Sequence, residues 1–182
     1  MPKLTLPFVE TMITYACNLS CAGCTNYSDY IYWDNGTSAW AVGSDSVHLG
    51  RNAGVDGQEF NTVAIGTNAG LTGQKQYAVA IGYAAGNTGQ SQHAVALGPL
   101  AGANNQEENA IAIGKNAGQE SQQSSAIAMG WYAGYTGQGQ SSVAIGTQAA
   151  QLVQGQNTIA VGTAAGYENQ KNNAVAIGTQ AG

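Results

Sequence analysis

The sequence predicts an all-β fold, a parallel β-roll in which the chain winds as a β-solenoid of nine sixteen-residue coils. Three observations carry that expectation. Nine glycines, Gly50, Gly66, Gly82, Gly98, Gly114, Gly130, Gly146, Gly162 and Gly178, recur at a strict spacing of sixteen. Each closes a short apolar run such as Thr62-Val-Ala-Ile-Gly66 and is followed at a fixed distance by Ala, and the first eight also by Gln. A period in the teens is too short for a helical hairpin and suits one turn of a solenoid, where each coil covers the one below.

Composition narrows the function. Of 182 residues only 8% are charged, and the net charge is −5. Nucleic acid and acidic glycans are poor partners for a chain with five scattered Lys and Arg, because phosphate binding needs clustered cations. The start, Met1-Pro-Lys-Leu-Thr-Leu-Pro-Phe-Val-Glu10, has no secretory signal pattern, and no window approaches the ~20 apolar residues of a membrane span. The expectation is a chain that is cytoplasmic at synthesis, with no membrane insertion.

Three segments follow in order: 1–30, 31–43 and 44–182. The first holds a β-prone run, Phe8 to Tyr15, ending at Cys17, Cys21 and Cys24, which are all the cysteines of the chain. An odd, clustered set reads as metal or cluster ligation before disulfide bonding. The second is aromatic, with Tyr32, Trp33 and Trp40 around Asp34-Asn-Gly36. Asn-Gly between β-prone residues signals a hairpin, expected here to cap the open end of the solenoid.

In the third segment each coil reads alike. Val or Ile stands three residues before the glycine, and Leu, Ile, Met or Val one residue before it. Strand side chains alternate, so these columns share a face and are expected to fill the interior. Between them lies His48 in the first coil and then Ala64, Ala80, Ala96, Ala112, Ala128, Ala144, Ala160 and Ala176. This small column is expected to face outward, where it would line the axis of a parallel homotrimer. A second Ala column, three residues after the glycine, meets the interior from the returning side. Gly follows it, replaced once by Ala150, which implies that this column is not left-handed in every coil. Eight residues after the glycine comes Gln, from Gln58 to Gln170, whose amides would stack into a ladder at the ~4.8 Å strand spacing.

Other candidates are few. His48 would sit on the outer face, and His93 in a variable loop. Tyr77, Tyr83, Trp131, Tyr132, Tyr135 and Tyr167 occupy variable columns that the scaffold does not need, and Trp131 with Tyr132 could stack on sugar rings as a ligand contact. No Ser/His/Asp set or paired carboxylate keeps a recurrent position. The column after each glycine (Arg51, Thr67, Tyr83, Pro99, Lys115, Trp131, Thr147, Thr163, Thr179) is too irregular for a face that orders ice.

Val-Ala-Ile-Gly, a two-residue spacer, then Ala-Gly resembles the head repeat of YadA-like trimeric autotransporter adhesins, over about residues 46–182. Related repeats are similar to segments of viral tail fibres. The resemblance implies a left-handed β-roll, a homotrimer, a virion-fibre or cell-surface location, and adhesion to a host-surface protein or glycan without enzymatic activity or cofactor. The Cys17-x3-Cys21-x2-Cys24 window resembles the loop of radical S-adenosylmethionine (radical SAM) enzymes, in which three thiolates hold a 4Fe-4S cluster beside S-adenosylmethionine. The alternative reading is therefore a truncated or fused radical SAM protein. The repeats begin where that family's catalytic barrel would stand, so no catalysis is expected.

Overall fold

The computed structural model describes the backbone of residues 30–34 and 39–43 and all of residues 46–182. The chain divides into two units, 1–44 and 45–182. In the first, strands Tyr30–Asp34 and Ala39–Gly43 pair antiparallel, Trp33 opposite Trp40. The turn residues Asn35 and Gly36 lie outside the described residues.

The second unit is a β-solenoid with no helix among the described residues. Nine three-residue strands, from Val47–Leu49 to Val175–Ile177, stack as one parallel sheet. The register is one repeat throughout: Val63 lies against Val79, Ala64 against Ala80 and Ile65 against Ile81. About eight turns separate the first strand from the last. A second parallel sheet of six strands, Thr88–Gln90 to Glu168–Gln170, forms the returning side. Single bridges from Asp56 to Thr72 and from Thr72 to Thr88 continue it toward the first coil. The strands are short because each coil must turn within sixteen residues, and backbone bonds to the next coil satisfy the turns as well as the strands. The Gly66 amide donates to Leu49 O at 2.7 Å and the Gly70 amide to Ala85 O at 2.9 Å. Such pairing answers the demand that buried backbone groups be bonded.

The interior reverses the expected faces. Ala64, Ala80, Ala96, Ala112, Ala128, Ala144 and Ala160 are fully buried, Ala176 is 4% exposed, and all join the core with the second Ala column from Ala53 to Ala165. The flanking Val and Ile side chains point outward: Leu97 is 41% exposed, Met129 38% and Ile145 38%. The cause is width. A methyl group added at Gly70 would lie 2.5 Å from Gln74 Oε1 and 3.4 Å from Ala64 Cβ, so the two walls stand too close for a branched side chain between them. Methyl groups and one amide fill the whole cross-section.

A second correction concerns Ala150. Its φ is 45°, within the left-handed region shared by Gly134 at 52° and Gly166 at 53°. The column is left-handed in every coil, and Ala150 adopts that backbone in spite of its Cβ.

Candidate functional site

The glutamine column forms the polar spine of the interior. Gln74, Gln90, Gln106, Gln122 and Gln138 are fully buried and Gln154 is 2% exposed. Gln106 Nε2 donates to Val95 O at 2.8 Å, to Ala110 O at 3.1 Å and to Gln122 Oε1 at 3.2 Å. Each amide thus ties the two sheets of its coil together and hands an acceptor to the coil before it, which gives the expected ladder a tertiary role as well. The rungs run from Gln58 to Gln138 and again from Gln154 to Gln170. Gln154 Oε1, where the missing rung would arrive, has no partner. Ala150 stands four residues before it. At the equivalent Gly134 an added Cβ would lie 2.7 Å from Gln138 Oε1, so the methyl of Ala150 occupies the space that the amide takes in other coils.

Because the alanine column is the core, it cannot be the surface at which chains meet. The outer face of the nine-stranded sheet instead presents two apolar columns, one through Val63, Val79, Val95 and Ile111 and one through Ile65, Ile81, Leu97 and Ile113. They run the length of the sheet with no charged side chain between them. Alternation alone could have found this stripe once the Ala column was assigned inward.

Away from that sheet, the coil after Gly130 carries an aromatic cluster. The Trp131 and Tyr132 rings meet edge to face at 5.1 Å, and Tyr132 and Tyr135 lie 4.9 Å apart at 47°. Trp131 is 49% exposed, and the two tyrosines are half-buried. Burial, with smaller contributions from Glu120 and Tyr132, holds the Tyr135 hydroxyl above its ordinary pKa. Sequence reasoning named Trp131 and Tyr132; Tyr135 joins them because the turn folds three residues back onto the second ring. Elsewhere Tyr77 stacks on His93 at 5.1 Å and 12°.

His48 takes the place of alanine in the first coil, in register with Ala64, and so faces inward rather than outward. Desolvation lowers its pKa, partly offset by a hydrogen bond with the Gln58 side chain. Cys17, Cys21 and Cys24 lie outside the described residues. Among the described residues no three His, Cys, Asp or Glu side chains gather as metal ligands, and no helix is long and apolar enough to cross a membrane.

No curated protein and no solved structure matches the chain. The family model of the YadA head domain repeat does match, in two copies over residues 90–117. That span holds the Gln90 and Gln106 rungs, the strands Val95–Leu97 and Ile111–Ile113, and the Ala96 and Ala112 core. The same columns continue in the coils on either side, so the second unit is an array of one repeat, which over residues 90–117 is similar to the YadA head domain repeat.

Proposed function

We propose that this chain is a non-enzymatic structural segment of a surface-displayed, adhesin-like fibre, and that three copies associate in parallel through the outward Val and Ile columns. The carrying observation is the apolar stripe itself. Two unbroken columns of partly or fully exposed apolar side chains along nine strands form an elongated patch of the kind that marks an interaction site. The repeat is one-dimensional, so a partner with the same rise per coil keeps contact along the full length. A second and third copy of this chain meet that condition. The YadA head match supports the trimer and the surface location; adhesion would be carried by the variable turns, which the scaffold leaves free to differ.

The test is the mass of the full chain in solution. Light scattering at micromolar concentration is expected to give three times the 18.5 kDa of one chain. Ile81→Lys with Ile113→Lys should reduce it to one chain while the β circular dichroism persists, since both side chains point away from the core. A wild-type mass of one chain, or an assembly that survives both lysines, overturns the reading.

A further inference from the structure

Building on the reading of the chain as a surface-displayed roll, we propose that Trp131, Tyr132 and Tyr135 form a binding platform for a neutral saccharide. In an array whose variable turns carry mostly Asn, Gln, Thr and Ala, these rings are gathered within one turn, with centroids about 5 Å apart. The roll has no structural need of them. In the neighbouring coils the same three positions hold Lys115, Asn116 and Gln119 on one side and Thr147, Gln148 and Gln151 on the other, and the coils stack without a break: the Tyr132 amide donates to Lys115 O at 3.1 Å and the Gln148 amide to Trp131 O at 2.8 Å.

Tyr132 also occupies a backbone that does not favour it. Its φ is 56°, left-handed as it is throughout this column: Asn52, Asn68 and Asn116 lie at 56 to 60°, and Ala84, Leu100 and Gln148 at 51 to 58°. Asparagine tolerates the left-handed region more readily than a bulky ring does.

The surroundings select the class of ligand. Aromatic faces suit the apolar C–H face of a pyranose ring, with their polar tips left for its hydroxyls. The flanking rows are amides that donate and accept. The nearest charges on these coils, Lys115 and Glu120, are opposite in sign, so neither an anionic nor a cationic sugar is selected. A neutral saccharide satisfies every part of this description.

The experiment uses the full chain and, as probes, cellohexaose, laminarihexaose and mannohexaose, with hexagalacturonate as the charged comparison. Binding is read by calorimetry and by tryptophan fluorescence. At least one neutral hexaose is expected to bind at millimolar concentration or below. Trp131→Thr and Tyr135→Gln, which install residues found in the same columns of other coils, should each weaken it about tenfold. Tyr132→Asn should weaken binding while raising the melting temperature. The proposal falls if no neutral hexaose binds, if only hexagalacturonate binds, if the triple variant binds as the wild type does, or if Tyr132→Asn lowers the melting temperature. Light scattering on the same samples separates the two readings: a trimer that binds no sugar overturns the platform alone, and a monomer that binds overturns the trimer alone.

Discussion

Ala150 shows how much one methyl group can do in a core this thin. It holds a left-handed backbone that costs a non-glycine residue about 1–2 kcal/mol, and it coincides with the missing rung between Gln138 and Gln154. Ala150→Gly should therefore stabilise the protein by about 1 kcal/mol or more, against the usual direction for glycine; a higher melting temperature would show it. The intact rungs give the opposite case. Gln106→Ala removes the side-chain donor from Val95 O and Gln122 Oε1 and one acceptor from Gln90 Nε2, while Ala110 O keeps the Val95 amide, and at about 1–3 kcal/mol per unmet buried group it should cost about 3 kcal/mol. The exposed Asn104→Ala should change the urea midpoint little. At His48 the sign runs toward acid. Its folded pKa lies below 6.5, so the neutral form is the one the first coil accommodates. The stability it contributes is present above pH 6.5 and is lost as pH falls through the folded value. Amide exchange around Val47–Leu49, corrected for intrinsic rates, should rise between pH 7 and pH 5, and His48→Ala, matching the rest of its column, should abolish that rise.

At the scale of the strand, alternation assigns Val63 and Ile65 to one face and Ala64 to the other without saying which is inside. Hydrophobicity favours the larger side chains, and that choice is wrong here because both faces are apolar. What decides is the distance to the opposite wall, where Gln74 and Gly70 leave room for a methyl group and nothing more. Two substitutions separate the assignments. Ala112→Val, inside the core, should cost about 1–3 kcal/mol by overpacking. Ile113→Thr, on the outer face, should leave the coil folded and weaken association. Circular dichroism melts read beside light-scattering mass test both; an Ala112→Val roll as stable as wild type would overturn the inward placement.

For the whole molecule, each coil touches only its neighbours, so stability is a sum of coil terms and interface terms. Removing residues 99–114, one whole period, joins Gly98 to Lys115 in the pattern that follows every repeat glycine. It should give a folded roll one coil shorter and modestly less stable. Removing eight residues, 99–106, would set Ile111–Ile113 against Asn87–Gly89 and Gly114 against Gln90 of the preceding coil. That shift should unfold the roll around the junction. A β circular dichroism melt distinguishes the two, and equal tolerance of both deletions would show that register is not set by the columns.

Period, register, strand class and the glutamine ladder are all legible in the sequence, because each is a statement about spacing, and stacking turns equal spacing into contact. The turn glycines are legible for the same reason. Which face of the strand looks inward, the left-handed backbone of Ala150 and the recruitment of Tyr135 to the aromatic cluster are settled only in three dimensions. Each depends on the distance between two walls or on how far a turn folds back, and a one-dimensional repeat records neither: the same columns would be equally periodic in a wider roll with Val and Ile inside.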